Sequence, residues 1–120
     1  MKRRDVGILG EQVARDFLVK EGHCILEVNY RCSEGEVDII TRDGDVLVFV
    51  EVRTKTNLAF GSPAESITPV KMDRLRRVAA HYQQHHENLP ADSRIDVVAV
   101  QMGRDSPVRI EHIENAVGGD

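Results

Sequence analysis

The chain has 120 residues, with 16 Lys and Arg against 20 Asp and Glu and a net charge of -4. That length suits one domain with room for a real core, and the charge excludes a protein that coats nucleic acid by bulk positive charge. No apolar run is long enough to span a membrane, and no leader pattern opens the chain.

A cytoplasmic location is therefore expected, with Cys24 and Cys32 reduced; their spacing fits no zinc motif. Residues 1–4 and 117–120 read as flexible ends around a single domain. Between them a helix is expected from about Asp5 to Glu21, with Asp5 as N-cap and Gly22 as C-cap. Val6, Gly10, Val13, Ala14 and Phe17 form its apolar stripe. Glu11 lies at the border of that stripe. It either pairs with Arg15 in solvent or reaches the sheet past the space left by Gly7 and Gly10. His23 to Arg31 reads as a strand, and Arg31 to Gly35 as a turn.

Glu34 to Lys55, EGEVDIITRDGDVLVFVEVRTK, reads as a hairpin with strands near Glu36–Thr41 and Val46–Arg53 and an Asp-Gly turn. The second strand is almost wholly apolar until Glu51 and Arg53, as in a central strand buried on both faces. A carboxylate near its end needs a reason, because an unpaired buried charge is costly. Two registers are open. A Gly44-Asp45 loop sets Asp38 opposite Glu51; an Asp43-Gly44 loop sets Glu36 there. Either way, alternation places Glu36, Asp38, Glu51 and Arg53 on one face and Val37, Ile39, Val48, Val50 and Val52 on the other. Like charges across a ladder repel. A divalent cation, a shared proton or Arg53 would neutralise them, and carboxylates with water suit Mg²⁺ or Mn²⁺. The plainer alternative is a pair of solvated strand ends with Arg53 as their ion-pair partner.

Thr54 to Ser66 reads as a loop, placed where a substrate contact or lid would be. Thr68-Pro69 then caps a helix running to about His86, with Leu75, Val78, Ala79 and Tyr82 buried. Lys71 points toward the sheet. Arg74, Arg77 and His81 form a neighbouring stripe, either a solvated face or a phosphate-contacting edge. His81 and His85 are taken as surface histidines. Ser93 to Met102 and Val108 to Ile113 are the last strands, the first of them parallel to the central strand through a helical crossover. Asp96 is a structural or a helper acid. From Glu34 to Glu51 there are six acids and one base, and from Arg53 to Arg77 six bases and two acids. An acidic pocket beside a basic surface is what metal-dependent chemistry on a polyanion needs. The expected fold is α/β: a mixed central sheet flanked by helices, in αβββαββ order.

Asp38 followed by Glu51-Val52-Arg53 resembles the motif of the restriction-endonuclease-like, or PD-(D/E)XK, nuclease superfamily. GILGEQVARDFL, ILEVNYR through GEVDII, VFVEVRTK, FGSPAESITPVKMDRL, RIDVVAV and IEHIENA together resemble the small bacterial YraN-like family, described as Holliday-junction-resolvase-like on fold grounds. The resemblance spans Gly7 to Ala116. It implies a restriction-endonuclease-like fold and Mg²⁺ or Mn²⁺ held by Glu11, Asp38, Glu51 and the Val52 carbonyl. It further implies Asp38, Glu51 and Arg53 as catalytic residues, and Lys55, Lys71, Arg74 and Arg77 on the nucleic acid. The implied partner is DNA, branched or structured, with a homodimer left open. One departure stands out: Arg53 occupies a position where such nucleases most often carry Lys, and Arg cannot act as a general base. Lys55, two residues on, is the alternative. The reading that follows is a metal-dependent endonuclease-like protein. Its rivals are a non-catalytic nucleic-acid-binding relative and a protein-binding module.

Overall fold

Apolar alternation and capping chemistry account for the elements of the computed structural model, which describes residues 3–56, 67–103 and 107–116. In chain order they are α1 (Arg3–Lys20), β1 (Cys24–Cys32), β2 (Gly35–Asp43), β3 (Val46–Lys55), α2 (Pro69–His85), β4 (Asp92–Met102) and β5 (Pro107–Ile113). The αβββαββ order is the expected one. The helix α1 starts earlier than its sequence signals indicate, so Asp5 is an acid in the first turn and not the N-cap. It still complements the positive end of the helix dipole there. Gly22 ends α1 at φ 97. The His23 N–H donates to the Leu18 carbonyl at 2.9 Å and the Gly22 N–H to that of Val19 at 3.0 Å, the paired bonds of a Schellman motif. At α2, the Thr68 hydroxyl accepts from the Lys71 N–H at 3.1 Å, and Pro69 takes the first helical position.

The five strands form one sheet in the order β1-β2-β3-β4-β5. β3 and β4 run parallel, and the other pairs are antiparallel. Neighbouring residues of β3 alternate between two cores. Leu47 and Phe49 pack with Leu75, Val78 and Tyr82 of α2. Val48 and Val50 pack with Ala14 and Leu18 of α1. The helices thus cover opposite faces, and the uninterrupted apolar run of β3 follows from burial on both. Leu18, which the α1 stripe read from sequence leaves out, is fully buried.

The structure selects the first of the two hairpin registers. Asp43 pairs with Val46, and the ladder runs to Ile39 opposite Val50. Gly44 has φ 61 while Asp45 stays out of the left-handed region, as in a type II′ turn, so glycine is needed at the first loop position. Continuing the ladder by one step sets Asp38 beside Glu51. Strict alternation then fails. Ile39 belongs to the α1-side core and Val37 to the α2-side core, which corrects the expectation that these two valine and isoleucine side chains share a face. The break coincides in β1 with Asn29, which sits at φ 54 between the pairs Val28–Ile39 and Tyr30–Val37. A left-handed residue re-aims the side chains that follow it. The expected Thr54–Ser66 loop is shortened by β3, which continues to Lys55; its turn formers Asn57, Gly61, Ser62 and Pro63, and Phe60, lie outside the described residues.

Candidate active site

Four elements bring charged side chains to the end of the central hairpin. β3 carries Glu51 and Arg53. β2 carries Asp38 at the point where its alternation breaks. The Val52 N–H donates to Asp38 Oδ2 at 2.7 Å. Burial, followed by the neighbouring Glu51 charge, pushes the Asp38 carboxyl up to about 7, against the pull of the Val52 N–H. A carboxyl raised this far takes up a proton more readily than a free aspartate, so a shared proton, named above as one means of neutralisation, suits this position.

Glu51 is buried, at 4% exposure. Lys71 Nζ, from the first turns of α2, stands 2.8 Å from its Oε2, and Arg53 Nη1 stands 3.5 Å from the same atom. Lys71 does point at the sheet as its place before Leu75 predicts, and it meets a site carboxylate there. Glu11 arrives from α1. Gly10 is buried beside β3, where a Cβ would fall onto the Thr54 side chain. Glycine at position 10 therefore lets α1 close on β3 and carry Glu11 to the site. Gly7 has open space around it and plays no such part. Burial raises the Glu11 carboxyl, Arg15 opposes this, and Glu36 and Glu51 add to it. Of the two alternatives in the sequence, the reach toward the sheet is the one supported, because Glu36 and Glu51 act on Glu11; Arg15 acts on it by charge alone. Glu11 Oε1 and Arg15 Nε are nonetheless buried without a hydrogen-bond partner.

The remaining candidates divide. Lys55 lies at the end of β3, where its carbonyl accepts from Gln101 at 3.4 Å. Arg77 is held by acids, 2.6 Å from Asp73 and 3.5 Å from Glu34. Arg74 borders an open cleft of about 400 Å³ that also takes in Lys71, Arg31, Cys32, Gly35 and Glu36. The cleft adjoins the carboxylates through Lys71. Arg31 escaped sequence reasoning; its signal is the β1–β2 turn, which sets Arg31 opposite Glu36, where the two pair at 3.1 Å. His81 and His85 stack at 4.1 Å, and His85 bonds the His81 carbonyl, which makes them end fittings of α2. Asp96 is structural: it is fully buried on the opposite face and bonds Arg94, His112 and the Asn115 N–H.

Among the described residues, no three His, Cys, Asp or Glu side chains stand in a ready-made metal arrangement. The donor chemistry nevertheless suits a hard divalent cation. Glu11, Asp38 and Glu51 offer oxygens only, their charges act on one another, and one Glu11 oxygen has no partner. Such a cation would relieve the repulsion that raises the Asp38 carboxyl.

Comparison with known proteins adds the lineage. A UPF0102 protein of Beutenbergia cavernae is 46% identical over 114 residues, covering 94% of this chain and 97% of its own. UPF0102 proteins of Frankia alni and Caldicellulosiruptor saccharolyticus are each 44% identical over 117 residues, covering 97% of this chain and 98% and 99% of theirs. Those relatives match nearly end to end. Residues 10–100 match the uncharacterised protein family UPF0102, and the chain belongs to that family.

Proposed function

We propose that this chain is a metal-dependent endonuclease-like protein that hydrolyses phosphodiester bonds of DNA, with branched or structured DNA as the substrate class. One observation carries the reading. Three carboxylates from three elements, Glu11, Asp38 and Glu51, act on one another's charge, and two cations stand at Glu51. Perturbed carboxylates beside a cleft are a physical mark of a working site.

Glu11, Asp38 and Glu51, with the Val52 carbonyl, would hold Mg²⁺ or Mn²⁺. Such a cation supplies charge stabilisation at the phosphate and acidifies water. The chain's own residues do the rest. The Val52 N–H fixes one Asp38 oxygen and leaves the other free of that bond. Lys71 and Arg53 hold Glu51 in the absence of substrate and provide positive charge for the oxygens of a bound phosphate. Arg53 contributes fixed charge and takes no proton.

The non-catalytic alternative has its own support: Lys71 and Arg53 already neutralise Glu51, as in a salt-bridged relic. The test is cleavage of duplex, single-stranded, flap and four-way-junction DNA with Mg²⁺ and with Mn²⁺. Under the enzymatic reading, wild type cuts, Arg53→Lys keeps or raises the rate, Arg53→Ala loses it and Asp38→Asn abolishes it. Absence of cutting by both wild type and Arg53→Lys on every DNA form would sink the enzyme and leave the binder. Cutting that survives Asp38→Asn belongs to a contaminant.

A further inference from the structure

Among the described residues, the cleft beside the carboxylates has one cation with no carboxylate paired to it. Three of the four basic groups in and around it are engaged: Arg31 by Glu36 at 3.1 Å, Lys71 by Glu51 at 2.8 Å, and Arg77 by Asp73 and Glu34. Among the described residues, no carboxylate pairs with Arg74. Its position is nonetheless built. Gly35 sits at φ 140 in the β1–β2 turn, and a Cβ there would come within 3.0 Å of the Arg74 Cγ and Cδ and 3.3 Å of Val78. The missing Cβ lets the Arg74 stem lie across the turn, with its guanidinium exposed at the cleft. The same glycine opens the turn backbone to whatever enters.

Size narrows the occupant. A concavity of about 400 Å³ has the volume of a small-ligand pocket. It receives one nucleotide unit and not the face of a double helix. Its mouth is shared with the proposed site through Lys71, so a strand whose phosphate lies at the carboxylates continues into it.

We infer that this cleft holds an unpaired nucleotide next to the cleaved bond, its phosphate on Arg74, so that the protein selects DNA with a single-stranded segment at the site. The inference rests on the nuclease-like reading for its direction, and it is tested by binding, separately from cutting. Single-stranded recognition joins a cationic groove to bases splayed out of the stack, and its salt dependence counts the phosphates held.

Two cysteines make the cleft its own reporter. Cys32 lines it, and Cys24 lies exposed at the other end of β1. The experiment uses the Asp38→Asn chain, so that probes bind without being cut. Iodoacetamide labelling is read by mass spectrometry with a short single-stranded oligonucleotide or with its duplex. The expected result is protection of Cys32, and not Cys24, by the single strand alone. Arg74→Ala then weakens single-strand binding about tenfold, as for loss of a charge-assisted hydrogen bond. It also reduces the slope of log affinity against log salt by about 0.7. Arg42→Ala, at the hairpin turn, leaves both unchanged. Protection of Cys32 by duplex as strongly as by single strand, or wild-type binding by Arg74→Ala, overturns the inference; so does no protection by either probe. Protection without any cleavage by wild type sinks the catalytic reading and keeps the cleft. Cleavage with Cys32 unprotected does the reverse.

Discussion

Asp38 and Asp96 are two aspartates on one sheet, and the fold treats them in opposite ways. Asp96 has no exposed surface and every oxygen engaged. Arg94 Nε donates to it at 2.9 and 3.2 Å, His112 Nε2 at 2.8 Å and the Asn115 N–H at 2.9 Å. This is how a buried carboxylate is made tolerable. Asp38 has one backbone N–H and two other carboxylates for company. The chain therefore has the means to neutralise a buried acid with Arg and His, and at the hairpin end it gathers acids together. Functional sites are where local conflict of this kind is expected, and it supports the proposed site.

The largest effect should come from breaking the satisfied side. Asp96→Ala removes the acceptor of Arg94 Nε, His112 and the Asn115 N–H and should cost about 3–5 kcal/mol of unfolding free energy, read by urea denaturation. A loss under 1 kcal/mol would mean that the network is ornamental and the contrast with Asp38 empty. Next comes metal. Mg²⁺ or Mn²⁺ at a hundred times its dissociation constant should stabilise the protein by about 2.7 kcal/mol, raising the melting temperature. Asp38→Asn combined with Glu51→Gln should abolish that gain. An equal gain in the double variant would place the ion elsewhere.

Asp38→Asn alone tests the crowding. Because the folded-state value is raised to about 7 from 3.8, the native protein binds more protons than the unfolded chain between those limits. Stability then falls as pH rises across that window, by up to about 1.4 kcal/mol per unit. Without metal, Asp38→Asn should flatten that fall and stabilise the protein at pH 8 by roughly 1–3 kcal/mol. A destabilised variant with an unchanged pH profile would contradict this account.

The smallest effect has the opposite sign. His23 is buried, shares a 2.7 Å hydrogen bond with the Thr41 hydroxyl, and stands 3.6 Å from Asp43. Burial lowers its pKa below 6.5, against the Asp43 charge, while His112 and Arg94 lower it further. Here the unfolded chain binds the extra proton, so this side loses stability as pH falls through 6.5. His23→Gln should soften the acid limb and leave the Asp38 limb untouched. Thermal melts from pH 4 to 8 on the two single variants separate the contributions.

Much of the candidate site was legible in the residues themselves. Asp-Gly between two apolar runs marks the hairpin, and the period of two confines Glu51 and Asp38 to one end of it. Thr68-Pro69 marks the start of α2, and the step from Lys71 to Leu75 turns Lys71 inward. Other features were not legible. The break in alternation between Val37 and Ile39 coincides with Asn29 at φ 54 on the neighbouring strand, although nothing in EVNYR spells a break. The approach of Glu11 depends on Gly10 meeting Thr54, residues 44 positions apart. The partners of Asp96 lie on β4, β5 and the turn beyond.

By itself the sequence determined the order of elements, the two helix caps and the buried stripes, because periodicity and capping act over a few residues. It also narrowed the hairpin to two registers and supplied the resemblance to a nuclease motif. Only the tertiary structure decided which register holds and that Lys71 and Arg53 share one oxygen of Glu51. It alone decided that burial and Glu51 raise the Asp38 carboxyl and that a cleft opens beside Arg74. Charge and burial depend on what lies within a few ångströms in space, and chain separation says nothing of that distance.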